Sequence, residues 1–284
     1  MTAVPVPEHD ADRPVRLDAL LAARGLVRSR TAAAKLVQAG RVTVGGTAVV
    51  KPSAPVAPDA EVVVDTEDEW VSRAARKLVR ALEVFDVDPS GRVVLDVGAS
   101  TGGFTQVLLH HGAARVVALD VGHGQLDPVL AIDERVRVVE GCNARDLTPD
   151  SYAALDDEAQ RTSLVVGDLS FISLRIVLPV LAEAVPADDL VLLVKPQFEV
   201  GRGGVREGIV RDLALRNDAL MNVLWSAWDA GLGTVGLAAS PIVGTHGNHE
   251  YLAHFQRRVG GHPAGWGNPT AWIGRVTELT EGAA

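Results

Sequence analysis

The chain has 284 residues, with 27 Lys+Arg, 36 Asp+Glu and one cysteine. That length suits two domains, and 47% hydrophobic with 22% charged residues fits a chain with a sizeable core. One cysteine excludes an internal disulfide framework and a cysteine-rich zinc site. No metal is expected, and Cys142 reads as a small buried residue rather than a nucleophile. The first residues carry Glu8, Asp10 and Asp12 and no apolar run, unlike a signal peptide. The longest stretch without charge, Ala230 to His249, holds five glycines and Pro241, which excludes a membrane-spanning helix. The expected location is the cytoplasm.

The net charge of −9 hides an asymmetry. Between Arg13 and Lys51, eight basic residues face a single acid, Asp18, so this segment carries +7 and the remainder −16. Such a split suggests a basic module on an acidic body. The module is either a solvated helix face or a grip for nucleic acid. The near absence of countercharge favours the second. Arg13, Arg16, Arg28, Arg30, Lys35 and Arg41 are the candidate RNA contacts.

In chain order, residues 1–12 read as a disordered arm. A helix is expected from Val15 to Ala23, and a second one, capped by Ser29 or Thr31, ending at Gly40. Two short strands surround Gly45-Gly46, and a last strand covers Glu61 to Val64. This gives a compact α+β unit over residues 13–65, followed by an acidic linker at 66–72. A helix then starts with Ser72 as its expected cap and carries Leu78, Leu82 and Phe85 on one face.

From Arg92 the pattern changes. Apolar runs at Val93–Val97, Val116–Leu119, Val136–Val139, Leu164–Val166 and Leu190–Val194 alternate with helical stretches. Continuous apolar strands between helices indicate a parallel sheet buried on both faces, so residues 73–260 are expected to be doubly wound, Rossmann-like α/β. Val235–Ala238 and Tyr251–Phe255 are candidate closing strands, and residues 261–284 read as a tail.

The first of these strands runs into Asp96-Val97-Gly98-Ala99-Ser100-Thr101-Gly102-Gly103-Phe104. A glycine-rich turn there lets a ligand approach the backbone closely, and Asp120 at the end of the next strand suits a ribose diol. The spacing matches neither the dinucleotide fingerprint nor a phosphate-binding Walker loop. A leading carboxylate at Asp96 fits S-adenosyl-L-methionine better, since that ligand carries an ammonium and a sulfonium. Asn143 is either an adenine contact or a turn residue.

The fourth and fifth strands end in Asp168-Leu169-Ser170-Phe171 and Lys195-Pro196-Gln197-Phe198. Asp168 and Lys195 thus sit at neighbouring carboxyl ends, either as an ion pair or as reacting groups. Methylation of an exocyclic amine usually uses an Asn/Asp-Pro-Pro-aromatic turn, which is missing. Carbon-5 methylation needs an activated cysteine, and Cys142 has no partner motif. A lysine that accepts a proton suits a hydroxyl.

Together these stretches resemble the TlyA-type rRNA 2′-O-methyltransferases, an S4-type RNA-binding module joined to an FtsJ-like domain. The likeness also rests on Arg16-Leu17-Asp18, Gly40 through Gly46, Val71-Ser72-Arg73 with Lys77, Asp120-Val121-Gly122, Gly124-Gln125-Leu126 and Lys195 through Glu199. It implies a reacting tetrad of Lys77, Asp168, Lys195 and Glu250, with Lys195 as the base on a ribose 2′-hydroxyl. It also implies Arg73 near the RNA, S-adenosyl-L-methionine as cofactor, and cytidines of 16S and 23S rRNA within ribosomal subunits as substrate. Neither DNA nor a membrane is an expected partner. Sensitisation to capreomycin-type antibiotics is the implied consequence. Some relatives carry Arg-Ala-Trp-Val where this chain has Asp68-Glu69-Trp70-Val71, and the Gly- and Arg-rich segment Gly201–Asp212 reads as a loop over the site. The competing readings are a membrane-active haemolysin and a non-catalytic ribosome-assembly factor.

Overall fold

A computed structural model describes residues 14–27, 29–38, 41–64, 70–201, 204–205, 207–244, 247–258 and 267–282. The expected arm, Arg13 and Arg28 lie outside the described residues. The chain divides into two compact units, Met1–Glu69 and Trp70–Ala284.

The first unit contains β1 (Val15–Arg16), α1 (Leu17–Ala23), α2 (Arg30–Gln38), β2 (Val42–Val44), β3 (Thr47–Ala48), β4 (Pro55–Val56) and β5 (Val62–Val64). β3, β2 and β5 form an antiparallel sheet, and β1 pairs with β4. The helix expected from Val15 therefore starts two residues later. Val15 and Arg16 are extended because they pair with Val56 and Pro55. Ser29 caps α2 as expected, accepting the Ala32 N–H at 3.2 Å. Leu17, Leu20, Leu21, Ala33, Val37, Val42 and Val56 make the core.

The second unit carries α3 (Ala75–Phe85), β6 (Val93–Val97), α4 (Gly103–His110), β7 (Arg115–Leu119), α5 (Pro128–Ala131), β8 (Val136–Val139) and α6 (Pro149–Ala153). It continues with β9 (Thr162–Gly167), α7 (Leu174–Ala184), β10 (Asp189–Val194), α8 (Pro196–Glu199), α9 (Leu213–Asp229), β11 (Leu232–Ala239), β12 (Tyr251–Arg257) and α10 (Ile273–Glu281). The sheet order is β11-β12-β10-β9-β6-β7-β8. β10, β9, β6, β7 and β8 are parallel, while β12 runs antiparallel to β10 and β11. The chain winds outward from β6 to β8, then returns to β9 on its other side. The carboxyl ends of β6 and β9 thus flank the switch point, where open α/β sheets bind ligands.

Alternate residues of each strand feed opposite cores. Leu95, Val97, Val165 and Leu192 enter one cluster, and Val94, Leu164, Val166 and Val191 enter the other. This burial of both faces explains the continuous apolar runs. Three sequence expectations change. Ser72 does not cap α3, whose N-cap is Ala74 without a side-chain bond. Trp70 and Val71, expected in the linker, pack on the core of the second unit. The expected tail contains α10, which buries Val276, Leu279 and Thr280 because its apolar stripe packs beside α9.

Candidate active site

The loop after β6 is shaped by close packing. Gly98 has φ +81°, and a Cβ there would lie 3.3 Å from Leu169 Cδ2 and 3.4 Å from the Asp168 carbonyl. Gly102 heads α4 at φ +92°, where a Cβ would lie 2.4 Å from Leu130 Cδ1. Glycine therefore lets this loop lie against both the β9 loop and the α5 region.

Two cavities open beside the loop. An outer cleft of about 760 Å³ is lined by Gly98, Ser100, Asp120, Asn143, Asp168 and the 169–173 segment. An inner cavity of about 250 Å³ is lined by Lys77, Thr101, Gly103, Phe104, Lys195 and Glu250. Gly98, Ser100, Asp168 and Ser170 border both. Asp120 accepts the N–H of Ser100 at 2.8 Å and of Gly122 at 2.7 Å, which fixes its carboxylate at the strand end. Asn143 caps a short turn by accepting the Arg145 N–H at 3.3 Å, and it also lines the outer cleft.

Two predicted cofactor contacts line neither cavity. Asp96 is fully buried within β6 and accepts the Thr105 hydroxyl at 2.6 Å. Its side chain serves the β6–α4 junction, because strand alternation turns it into the core. Burial, helped by Asp168 and Asp120, pushes its carboxyl up to about 7, although the Thr105 bonds pull the other way. Gly102 likewise serves packing against Leu126 and Leu130.

The inner cavity gathers four charged side chains from four separate segments, three of them buried around a half-buried Asp168. Lys77 of α3 lies 3.0 Å from Asp168 Oδ2 and 2.7 Å from Glu250 Oε2. Lys195, directly after β10, lies 2.6 Å from Asp168 Oδ1 and donates to Ser170 Oγ at 2.7 Å. Lys77, Lys195 and Glu250 are 5%, 7% and 5% exposed, so mutual pairing is what makes their burial tolerable. Burial works to raise the Asp168 pKa, but the Lys195 and Lys77 ammoniums outweigh it and hold the carboxyl below its usual range. Lys77 is held by two carboxylates, whereas Lys195 is held by one carboxylate and a neutral hydroxyl. Lys195 is therefore paired with one carboxylate fewer than Lys77.

Comparison with known proteins shows which family the chain belongs to. The FtsJ-like methyltransferase pattern matches residues 70–257, and the S4 domain pattern matches residues 15–62. A 16S/23S rRNA (cytidine-2′-O)-methyltransferase TlyA from Mycobacterium tuberculosis is 51% identical over 84% of this chain and 89% of its own length. The chain belongs to the TlyA family. Hemolysin A from Brachyspira hyodysenteriae is 40% identical, covering 85% of this chain and 99% of that protein. A solved structure of a hemolysin-named protein from Streptococcus thermophilus covers 96% of both chains at 37% identity, with a TM-score of 0.71.

Several neighbours of this TlyA-family site carried no clear signal in the sequence. Ser170 reaches Lys195 from across the β9 loop. Gly244 lies so near Glu250 that a Cβ would come within 2.6 Å of Oε1. Glu199 accepts the Leu174 N–H at 2.8 Å and the Ser173 hydroxyl at 2.5 Å, tying the β10 turn to the start of α7. Part of the Gly201–Asp212 segment is also tied down: Asn248 accepts the Val210 N–H at 3.1 Å and donates to the Gly208 carbonyl at 2.7 Å. Cys142 borders the outer cleft, and burial pushes its thiol pKa up, which lowers its thiolate fraction.

In the S4 unit, Arg16 donates to Asp18 at 3.1 and 2.8 Å, and Arg30 reaches it at 3.5 Å. Both arginine side chains stay more than half exposed, and Lys35 is exposed on α2. Asp18 thus organises a cationic surface without covering it. Among the described residues, no helix is long and apolar enough to cross a membrane.

Proposed function

We propose that this chain methylates the ribose 2′-hydroxyl of cytidines in 16S and 23S rRNA within ribosomal subunits, using S-adenosyl-L-methionine in the cytoplasm. The observation that carries the reading is the buried Lys77–Asp168–Lys195–Glu250 cluster opening onto the outer cleft. The outer cleft fits the cofactor in size, and Asp120 offers a carboxylate for a ribose diol while Gly98 keeps the backbone uncovered. Thr101, Gly103 and Phe104 line the inner cavity beside it. The bound cofactor supplies an electrophilic methyl group on a sulfonium.

The chain's residues do the rest. Lys195 in its neutral form takes the proton of the 2′-hydroxyl as the oxygen becomes the nucleophile. Asp168 holds the Lys195 amine in place and stabilises the ammonium that forms. Lys77, fixed by Asp168 and Glu250, keeps the two carboxylates apart in charge and in space. Positioning of the hydroxyl next to the cleft makes the transfer effectively unimolecular. The S4 unit grips phosphates through Arg16, Arg30, Lys35 and Arg41, with Arg13 and Arg28 assigned to the same surface from the sequence, and Arg73 lines the inner cavity nearer the ribose. Neither DNA nor a membrane has a place in this scheme.

The test is incubation with radiolabelled S-adenosyl-L-methionine and separate 30S and 50S subunits, followed by mass-spectrometric mapping. Label on cytidine 2′-oxygens is expected. Label confined to bases, or absent from both subunits, would overturn the reading. Liposome leakage, the corresponding readout of the haemolysin reading, is expected to be absent.

A further inference from the structure

Ser170 lies on the segment between β9 and α7 and borders both cavities. That segment, residues 168–173, is clamped at each end. Asp168 is held by Lys77 at 3.0 Å and by Lys195 at 2.6 Å. At the other end, Glu199 accepts the Leu174 N–H at 2.8 Å and the Ser173 hydroxyl at 2.5 Å. Between the clamps Phe171 adopts φ +64°, in the left-handed region that a residue other than glycine enters at a cost. Its side chain is 92% exposed and meets the Phe198 ring at a centroid distance of 5.3 Å, so burial does not offset that cost. Such strain persists only where the flanking structure imposes it. The imposed path brings the Ser170 hydroxyl to 2.7 Å from Lys195 Nζ.

Lys195 Nζ faces two oxygens, Asp168 Oδ1 at 2.6 Å and Ser170 Oγ at 2.7 Å. A neutral amine carries two N–H bonds and one lone pair on its nitrogen. With one N–H toward each oxygen, the last tetrahedral direction belongs to the lone pair. That lone pair takes the hydroxyl proton and leaves the O–H electron pair on the ribose oxygen. In the ammonium that results, the same two oxygens accept two of the three N–H groups, and the third carries the transferred proton. The Phe198 ring centroid lies 5.9 Å from Nζ and attracts the charged form, but it supplies no acceptor atom that fixes a rotation. Asp168 alone leaves the amine free to turn about its Cε–Nζ bond. A second acceptor at Ser170 removes that freedom.

We propose that Ser170 is a positioning residue, whose hydroxyl fixes the rotation of the Lys195 amine so that its lone pair is presented to the ribose 2′-hydroxyl. The proposal rests on the methyltransferase reading, with Lys195 as the base. Ser170 acts through Lys195 and not on the reacting atoms. It is exposed, so the core does not depend on its hydroxyl.

The experiment measures single-turnover methyl transfer by the full-length protein, with ribosomal subunits and S-adenosyl-L-methionine both saturating. The variants are Ser170→Ala and Ser170→Thr. Ser170→Ala is expected to slow transfer about ten-fold through lost orientation at the reacting nitrogen. KM for subunits, cofactor affinity and melting temperature stay near wild type. A loss confined to the saturating rate marks an interaction used in the transition state. Ser170→Thr keeps the hydroxyl and recovers most of the rate. A wild-type rate in Ser170→Ala removes the positioning role while leaving the methyltransferase reading intact. A loss confined to cofactor affinity also removes it and assigns Ser170 to the outer cleft. A rate loss accompanied by a lower melting temperature, or shared in full by Ser170→Thr, removes it as well. A wild-type protein that transfers no methyl to subunits removes the reading beneath it.

Discussion

The two units place their charges in opposite positions. In the S4 unit the core is apolar apart from Asp18, and Arg16, Arg30 and Lys35 lie at the surface. Arg24 likewise lies outside, donating to the Ala60 carbonyl at 2.7 Å. In the methyltransferase unit, Lys77, Lys195 and Glu250 are buried around Asp168. Surface cations keep most of their hydration and act through salt-sensitive attraction to a large anion. Buried ions lose hydration and persist only when paired. The first arrangement suits gripping, whereas the second suits a proton transfer in a confined space.

Removing the reacting amine is the strongest challenge to that division. Lys195→Ala is expected to cut methyl transfer about 10²- to 10⁴-fold. Cofactor affinity and rRNA binding should stay near wild type, because Lys195 lines the inner cavity and not the outer cleft. Single-turnover transfer and equilibrium cofactor binding measure the two sides. Retained transfer would show that the buried cluster is only an ion network.

The converse experiment alters the gripping surface. Arg30→Gln/Lys35→Gln leaves Asp18 paired with Arg16, so the fold of the S4 unit should survive. Affinity for ribosomal subunits should drop about ten-fold with a shallower salt slope, while the single-turnover rate at saturation is unchanged. A changed saturating rate with unchanged affinity would reverse the assignment of the two units.

A smaller perturbation sharpens how tightly the buried cluster is held. In Gly244→Ala the new methyl would lie 2.6 Å from Glu250 Oε1, so the Glu250 carboxylate must move and its 2.7 Å contact with Lys77 is disturbed. Methyl transfer should fall about ten-fold through this misplacement, with KM for subunits little changed. An unaltered rate would mean that the Glu250–Lys77 contact does not set the geometry.

Much of this division is legible in the sequence, for physical reasons. Buried parallel strands must be apolar on both faces, so all five parallel runs stand out. The charge split between the units needs only counting. The S4 domain's first residues are less legible: Val15 and Arg16 look helical locally, and their pairing with Pro55 and Val56 is a long-range contact. Lys77 and Glu250 are 173 positions apart and meet only because α3 and the loop before β12 converge beside β9. Residue types alone give no reason to pair them, and the family resemblance was needed to single them out. Asp96 shows how a motif can mislead about direction. It sits in a motif that reads as a ligand contact, yet strand alternation directs it inward to Thr105.

Asp96 also supplies the mildest test, one in which a buried charge is expected to do no chemistry. Its folded pKa of about 7 lies above the usual carboxylate value, with burial as the main cause. The folded state thus prefers the protonated form. The stability this confers is fully present below the unfolded value near ~4 and is lost as pH rises through about 7. Asp168 has the opposite sign, since its lowered pKa adds stability that disappears as pH falls. Asp96→Asn keeps an acceptor for the Thr105 hydroxyl but removes the ionisation. Its melting temperature should match wild type only below about pH 4, pull ahead as pH rises toward 7, and stay ahead near pH 8, with methyl transfer preserved. The stabilisation has a ceiling of about 4 kcal/mol from the size of the shift. A variant that loses cofactor binding without losing stability would instead return Asp96 to the cofactor site and make the buried charges of the larger unit functional throughout.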